Sequence, residues 1–335
     1  MKVLITGGTG LVGLAIKNTL DTDQIKKQDI LSDIWQNKSE YEFIFLNSKD
    51  CDLRDILACE NLFSNGNFDI VVHLAAIVGG LYKNLDNNYS ILIDNITINT
   101  NILECCRKYN IKRLINILST CIFGNDLIYP LTSDQMYDKK PDDSNEGYSI
   151  SKRYLNSGSK LLSRCSDIEI VNLIPTNLYG KNDNFHLHDA HVIPNLIHKI
   201  FLAKRKLQLN NNMESSLIIK GSGKARRQFV LVNDLAKIIL HFINCELSSR
   251  FNKLIVGPPE QDEITIKELV NKITTIFNFK GKVIYDQDFS DGQHKKTVSN
   301  KELLEYLPDF KFTALEIGLE KTIKYFIENY STVRK

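Results

Sequence analysis

The sequence predicts an α/β protein with a Rossmann-type doubly wound parallel sheet and a smaller C-terminal α/β lobe that binds substrate. Three observations support this fold class. A glycine-rich turn follows the first apolar strand, short β-like runs alternate with helix-like segments up to about residue 176, and this alternation stops afterwards. With 335 residues, 43% of them hydrophobic, the chain can bury a full core. Strands separated by helices favour parallel pairing with right-handed crossovers.

The predicted elements follow one another in this order. Leu11–Leu20 has helical spacing, and later helices are predicted at Ile264–Phe277 and Ala314–Tyr330, after an Asn-rich stretch at Leu209–Met213. Five apolar runs have the length and composition of strands: Lys2–Thr6, Tyr41–Leu46, Ile70–Leu74, Arg113–Leu118 and Ile168–Ile174.

Two domains are expected from this pattern. Residues 1–176 and 229–256 are predicted to form the nucleotide-binding domain, and residues 177–228 and 257–335 the substrate-binding lobe. This lobe is expected to close over the carboxyl ends of the strands, which is the edge where open α/β sheets bind ligands.

Composition narrows the partners to small molecules. Lys and Arg number 42 against 40 Asp and Glu, without a block of like charges, so nothing indicates nucleic acid or a membrane surface. No apolar run reaches the roughly 18 residues that a membrane helix needs. Seven cysteines without regular spacing, in a chain that begins with a strand pattern, predict a reduced, cytoplasmic protein.

The best-supported site is a dinucleotide site at Gly7, Gly10 and Gly13, spaced by two residues each, directly after a strand and at the start of a helix. The first glycine permits a tight turn, the second lets the backbone approach a pyrophosphate, and the third allows close packing of helix and strand. Leu11 and Val12 lie at the helix N-terminus, which attracts the anion.

The second strand indicates which dinucleotide binds. It ends in Asn47, Ser48 and Lys49 rather than in a carboxylate that would accept the ribose hydroxyls of NAD. A hydroxyl and an ammonium suit a 2′-phosphate, so NADP(H) is the predicted cofactor. In the following Asp52-Leu53 pair, the aspartate is expected to face the adenine amino group.

Ser119, Tyr148 and Lys152 predict hydride chemistry on a carbonyl. A phenol can protonate the alkoxide formed by hydride addition if a nearby cation lowers its pKa, and Lys152 lies one helical turn after Tyr148. Ser119, at the end of a strand, can hold the carbonyl oxygen. A Tyr-x-x-x-Lys pair alone is more often a solvated helix face, but it follows a dinucleotide turn here. Cys121 alone would more often be a buried core thiol.

The chain resembles the extended short-chain dehydrogenases/reductases from end to end. The glycine turn and Tyr148-x-x-x-Lys152 belong to the whole family, and the remaining motifs resemble its GDP-sugar epimerase-reductases. These are His73–Leu81, Ser119–Phe123, Ile174–Gly180, Asp183–Phe185, His191–Pro194, Arg226–Phe229 and Ser290–Thr297.

The resemblance implies a two-stage reaction on GDP-4-keto-6-deoxy-D-mannose. Cys121 as base and His191 as acid would invert C3 and C5, and NADPH would then reduce C4 while Tyr148 protonates the oxygen. The resemblance also implies further cofactor contacts, at Ala75, Ala76, Pro175, Asn177, Leu178 and His191. The implied substrate contacts are Asn177, Lys199, Lys220, Arg227, Asp291 and Lys296.

Lys220 departs from the family, which commonly has Trp at this position, and the change replaces a stacking surface with a flexible charge. This change keeps open a reductase or epimerase of a different 4-keto nucleotide sugar. A separate alternative is a non-catalytic NADP-binding sensor, which the loss of Tyr148, Lys152 or Cys121 would have favoured, although all three are present.

No metal and a homodimer are also expected. The cluster of His186, His188, His191, Asp183 and Asp189 lacks a fixed metal-ligand spacing, and the resembling family needs no metal. In that family, a dimer forms when two helices of each copy make a four-helix bundle. The corresponding helices here lie around Ser90–Tyr109 and Tyr148–Arg164.

Overall fold

The fold is known from a computed structural model, which describes residues 1–21, 40–209, 216–289 and 292–335. The strands of these ranges are β1 Lys2–Thr6, β2 Glu42–Phe45, β3 Ile70–His73, β4 Arg113–Ile117, β5 Glu169–Pro175, β6 Asn177–Tyr179, β7 Ser216–Lys220, β8 Arg226–Arg227, β9 Phe229–Leu231, β10 Phe251–Val256, β11 Ile264–Thr265 and β12 Lys282–Asp286. The helices are α1 Leu11–Asp21, α2 Ile56–Gly66, α3 Leu81–Lys108, α4 Glu146–Cys165, α5 Val192–Leu209, α6 Val232–Asn244, α7 Ile266–Ile276, α8 Lys301–Tyr306 and α9 Leu315–Glu328.

The main sheet has six strands in the order β2-β1-β3-β4-β5-β10, and every pair is parallel. The order reverses at β1, which has β2 on one side and β3 on the other. Such a reversal opens a crevice at the carboxyl ends of the strands. The predicted fold class is therefore confirmed.

The five predicted strands differ from β1 to β5 by no more than a residue or two at each end. The sequence reasoning did not identify β10, because this strand follows the second-lobe segment and stands outside the regular alternation. The predicted helices at Leu11–Leu20, Ile264–Phe277 and Ala314–Tyr330 correspond to α1, α7 and α9. Of the Asn-rich stretch, residues 210–213 lie outside the described residues.

Hydrophobic side chains cover both faces of this sheet. One face packs against α1 and α6 through residues such as Ile16 and Phe242, and the other packs against α2, α3 and α4 through Phe63, Ile102 and Leu155. Both faces of a parallel sheet are expected to be covered in this way. No helix in the described ranges has the length and apolar character that crossing a bilayer requires.

A third hydrophobic cluster lies under three two-stranded pairs, β6 with β9, β7 with β12 and β8 with β11. It includes Phe185, Ile197, Leu231 and Phe326. The chain leaves the main sheet after β5, returns for α6 and β10, leaves it for α7 and β12, and returns for α8, whose Leu303 packs in the main-sheet core. This second lobe is therefore built from separate segments of the chain.

Residues 294–299, here called the strap, join the two parts. The amide of Leu131 donates to the carbonyl of Thr297 (2.8 Å), and the amide of Ser299 donates to the carbonyl of Leu131 (2.9 Å). On the other side, the amide of Val298 donates to Oε1 of Gln228 (2.8 Å), and the Thr297 hydroxyl donates to the carboxylate of Glu263. The strap is thereby fixed on both sides of the cleft.

Candidate active site

The glycine turn after β1 leaves no room for side chains. Gly7 has φ +67°, and a Cβ there would lie 2.9 Å from the amide nitrogen of Ala75. A Cβ at Gly13 would lie 2.5 Å from the carbonyl oxygen of Gly8. The turn therefore presents bare backbone at the start of α1, which fits a dinucleotide pyrophosphate.

The acidic groups of the loop after β2 have partners within the loop itself. The carboxylate of Asp50 accepts a hydrogen bond from the amide of Asn47 (2.9 Å), and Asp52 forms an ion pair with Arg54 (2.9 Å). Ser48 and Lys49 are exposed. The hydrogen bond from Arg54 lowers the pKa of Asp52. These contacts suit the predicted 2′-phosphate, because both nearby carboxylates already have partners.

Leu53 is held in place by the core next to this loop. Its side chain is buried in the core cluster, and its carbonyl accepts a hydrogen bond from the Asn101 amide (2.9 Å).

A short 3₁₀ turn at Thr120–Ile122 carries Cys121 directly after β4. The Ser119 side chain caps this turn, accepting from the Cys121 amide at 3.3 Å. From α4, the hydroxyl of Ser149 donates to the carbonyl of Cys121 (2.9 Å), and Arg153 donates to the carbonyl of Ile122 (2.6 and 2.9 Å). Cys121 itself is buried. The helix that carries Tyr148 and Lys152 thus also holds the thiol in place, a role that sequence reasoning missed for Ser149 and Arg153.

Tyr148 and Lys152 lie one turn apart on α4. The Lys152 ammonium is 5.5 Å from the centre of the Tyr148 ring and donates to the carbonyl of Ile117 at 2.7 Å. Burial lowers the pKa of Lys152 to about 8, while the charge of a Cys121 thiolate opposes this shift.

The expected lowering of the Tyr148 pKa is not found in this structure. Burial raises the pKa of Tyr148, and the charge of a Cys121 thiolate raises it further. The sequence showed that Lys152 lies nearby, but it could not show how far the phenol is desolvated.

The strap brings Lys296 next to Cys121. Burial lowers the pKa of Lys296 to about 8, a Cys121 thiolate raises it, and Arg227 lowers it. A lysine predicted only as a substrate contact therefore lies within electrostatic reach of the proposed base. No local pattern could have indicated this, because strap and turn are distant in sequence.

His191 immediately precedes α5, at the end of a loop that packs against Gly80. The amide of Gly80 donates to the carbonyl of Asp189 (3.0 Å), and a Cβ on Gly80 would lie 2.9 Å from that same oxygen. The His191 side chain is exposed, and desolvation by the protein atoms around it lowers its pKa. The pairing of His191 with Cys121 stays a prediction.

The predicted substrate cations form two groups. Lys199, on α5, has a pKa that is lowered by burial and by the charge of Lys220. Lys220 ends β7, and its ammonium lies 4.3 Å from the centre of the Phe289 ring. Arg227 interacts electrostatically with Lys296, as noted above. Phe289 was missed at the sequence level.

Most of the remaining predicted contacts lie at the ends of strands. Ala75 and Ala76 follow β3, Pro175 ends β5, and Asn177 begins β6, where its side-chain amide donates to the carbonyl of Gln228 (3.0 Å). Leu178 packs against the core of the main sheet. Asp291 lies outside the described residues.

The histidine-rich loop does not assemble a metal site from described residues. Nδ1 of His186 accepts hydrogen bonds from the amides of His188 and Asp189, both at 3.3 Å. Elsewhere in the described ranges, no group of three or more His, Cys, Asp or Glu residues is arranged to hold a metal ion.

The fold and site together define a dinucleotide-dependent enzyme of the short-chain dehydrogenase type. The chain belongs to the NAD dependent epimerase/dehydratase family, whose sequence model matches residues 3–252.

Individual relatives are similar over the whole chain. A GDP-L-fucose synthase from Dictyostelium discoideum is 38% identical, with 99% of this chain and 97% of the relative covered. A probable GDP-L-fucose synthase from Drosophila melanogaster is 36% identical, with 100% and 99% covered. The crystal structure of a GDP-L-fucose synthetase from Naegleria fowleri bound to NADP matches with a TM-score of 0.86 and 36% identity, covering 100% of this chain and 95% of that chain.

Proposed function

We propose that this protein is an NADP(H)-dependent 3,5-epimerase and 4-reductase that converts GDP-4-keto-6-deoxy-D-mannose to GDP-L-fucose. The observation that carries the proposal is that a buried thiol, Cys121, lies within electrostatic reach of the reductase pair Tyr148 and Lys152. A simple carbonyl reductase has no use for that thiol. Similarity to enzymes named for this product supports the substrate.

In the epimerisation stage, the 4-keto group acidifies the protons at C3 and C5. Cys121, as a thiolate, removes each proton, and the imidazolium of His191 delivers a proton to the opposite face. Before the second inversion the thiol releases its proton to solvent and the imidazole takes one up, so both groups return to their starting states. Lys152 and Lys296 lie within electrostatic reach of this sulfur. Desolvation lowers the pKa of His191, so its imidazolium form is a stronger acid and the ring returns to the neutral form after delivering the proton.

In the reduction stage, bound NADPH supplies a hydride for C4, and Tyr148 donates the proton to the resulting oxygen. Ser119 orients the carbonyl, and Lys152 provides the positive charge beside Tyr148. Asn177 and His191 border the nicotinamide end. The glycine turn holds the pyrophosphate, with Ser48 and Lys49 at the 2′-phosphate, Asp52 and Leu53 at the adenine, and the backbone of Ala75, Ala76, Pro175 and Leu178 along the cofactor.

The second lobe binds the GDP part of the substrate. Lys199, Lys220 and Arg227 supply positive charge for the pyrophosphate, and Asn177, Lys296 and Asp291 contact the sugar or the guanosine. The nucleotide-binding domain then comprises residues 1–176 and 229–256, and the substrate lobe comprises residues 177–228 and 257–335.

A homodimer through a four-helix bundle and a cytoplasmic location complete the proposal. Apolar side chains are exposed on α3 at Tyr89 and Ile93, and on the adjacent α4 at Ile150, Tyr154 and Leu161. Exposed apolar faces on two packed helices favour pairing with the same helices of a second copy.

The test is turnover of GDP-4-keto-6-deoxy-D-mannose with NADPH, followed by NMR of the sugar product in deuterated water. Wild type should yield GDP-L-fucose with deuterium at C3 and C5. Cys121→Ser should lose most of this deuterium incorporation, whereas Cys165→Ser, which changes an exposed cysteine, should behave like wild type. NADPH binding without oxidation would contradict the proposal, and oxidation with a different 4-keto nucleotide sugar would favour the alternative substrate.

A further inference from the structure

A continuous chain of buried hydrogen bonds runs from the glycine turn to the catalytic helix through His73. The Thr6 hydroxyl lies 2.9 Å from Nδ1 of His73, and Nε2 of His73 lies 3.1 Å from Oδ1 of Asn99. The side-chain amide of Asn99 donates to the carbonyl of Ser151 (3.1 Å). Thr6 and His73 are completely buried, and Asn99 is 2% exposed.

The direction of each hydrogen bond follows from the ends of this chain. Because the Asn99 nitrogen donates to Ser151, its oxygen must accept, so the proton of His73 is on Nε2. Nδ1 then accepts from the Thr6 hydroxyl. Burial and the nearby charge of Lys152 lower the pKa of His73 to about 3, which keeps the ring neutral with one donor and one acceptor.

Each end of this hydrogen-bond chain lies next to one of the proposed functional sites. The Thr6 oxygen accepts from the amides of Leu74 (3.1 Å) and Ala75 (3.2 Å), and Thr6 immediately precedes Gly7. At the other end, Ser151 immediately precedes Lys152. The strand register places Thr6 beside His73 at the carboxyl ends of β1 and β3.

We propose that His73 is a positioning residue that fixes the cofactor-binding turn and the Tyr148–Lys152 helix relative to each other, through Thr6 on one side and Asn99 on the other. The predicted effect of His73 on turnover rests on the proposed function. Its effects on NADPH binding and on helix protection do not depend on the sugar substrate.

Two substitutions of His73 separate the two sides. In His73→Asn, the amide oxygen falls near the position of Nδ1 and can still accept from Thr6, but nothing reaches Asn99. In His73→Gln, the amide nitrogen falls near Nε2 and can still donate to Asn99, but Thr6 loses its acceptor. The two variants change the same buried site and retain opposite halves of the chain.

The measurements are the Kd of NADPH by fluorescence, amide hydrogen exchange of residues 148–156, and kcat at saturating NADPH. His73→Asn should keep the wild-type Kd, accelerate exchange in α4, and lower kcat by about tenfold or more. His73→Gln should raise the Kd by about tenfold, the effect of one lost hydrogen bond, and keep kcat. If both variants shift Kd and kcat in the same proportion, or lower only the melting temperature, the positioning role is wrong.

Thr6→Val and Thr6→Ser keep the test decisive if the His73 variants do not fold. Thr6→Val removes the hydroxyl at nearly constant volume and should raise the Kd of NADPH as His73→Gln does, while Thr6→Ser should restore it. An unchanged Kd in Thr6→Val would overturn the cofactor side of the proposal. Absence of sugar turnover in wild type, with these Kd differences intact, would instead reject the proposed function alone.

Discussion

The guanidinium of Arg153 donates two hydrogen bonds, at 2.6 and 2.9 Å, to the carbonyl of Ile122, which directly follows Cys121. The same group donates to the carbonyl of Lys139 at 2.6 Å. Arg153 thus joins two loops under the thiol, and its planar fork reaches both carbonyls at once. The position of Cys121 depends on a residue of the helix that supplies Tyr148.

Arg153→Lys should slow epimerisation more than cofactor binding. One ammonium cannot reproduce the fork, so the Cys121 turn would shift, and a displacement of a reacting group by about 1 Å can cost about 100-fold in rate. Deuterium exchange at C3 and C5 should fall by about tenfold or more, with the Kd of NADPH unchanged. Arg164→Lys, at an exposed position of the same helix, is the control. Equal exchange rates in the two variants would contradict this role.

Gly80→Ala should displace the loop that carries His191. The added Cβ would lie 2.9 Å from the Asp189 carbonyl oxygen, so either the loop or the start of α3 must move, at a cost of about 1–3 kcal/mol. Proton delivery by His191 should become slower, and less deuterium should therefore appear at C3 and C5 of the product. In Gly158→Ala the new Cβ meets only the end of the Leu103 side chain, which can rotate away. An undisturbed product pattern in Gly80→Ala would show that the loop adapts freely.

Lys49→Glu should shift the preference from NADPH toward NADH. The new carboxylate would repel a 2′-phosphate and accept ribose hydroxyls. The KM for NADPH should rise by about tenfold or more, because a charge-assisted contact contributes about 1.5–3 kcal/mol. The KM for NADH should stay the same or fall. Lys17→Glu makes the same charge change on α1 and should leave both values unaltered. A parallel rise in both KM values would argue against the assigned role.

Turnover should decline above about pH 8. The pKa values of Lys152 and Lys296 are both lowered to about 8, so both cations are present below this pH and are lost above it. The alkaline limb of the kcat profile belongs to the pair of lysines. Lys296→Arg keeps one charge at high pH and should make this limb shallower, whereas Lys295→Arg should not change it. If the alkaline limb is identical in wild type, Lys296→Arg and Lys295→Arg, then Lys296 does not contribute to the step whose pH dependence the limb reports.

Asp183→Asn should stabilise the protein at neutral and alkaline pH. Asp183 is buried, and one of its oxygens has no hydrogen-bond partner among the residues that the structure describes. Burial raises the pKa of Asp183 to about 7. The folded state therefore binds more protons than the unfolded state between about pH 4 and pH 7, and stability falls as pH rises through this window. The gain in melting temperature should be largest near pH 8 and vanish near pH 4. Asp138→Asn, at an exposed site, is the control. A gain in melting temperature that does not depend on pH would show that Asp183 does not titrate in this range.

Features encoded by local sequence could be predicted. The glycine turn, the five strands β1–β5 and the Tyr148–Lys152 pair each depend on spacing within one or two elements, and the structure has them where the spacing indicates. Cys121 was chosen from its place two residues after Ser119 and from family resemblance.

Features that depend on distant segments were missed. The approach of Lys296 to Cys121 requires the strap, and the hydrogen bonds of Arg153 require two loops to meet. The direction of the Tyr148 pKa shift was wrong because burial, which no short pattern reports, outweighs the neighbouring cation. His73 was noted only as part of a motif, since its partners Thr6 and Asn99 lie on different elements.

The strap also has a consequence for synthesis of the protein. Its contacts join Leu131 to Thr297, so the segment that presents Lys296 emerges from the ribosome long after the thiol turn has been made. The nucleotide-binding sheet also lacks β10 until the chain has passed residue 256. A nascent chain therefore cannot assemble the complete reaction centre before the strap has left the ribosome, and catalysis has to wait for residues 294–299.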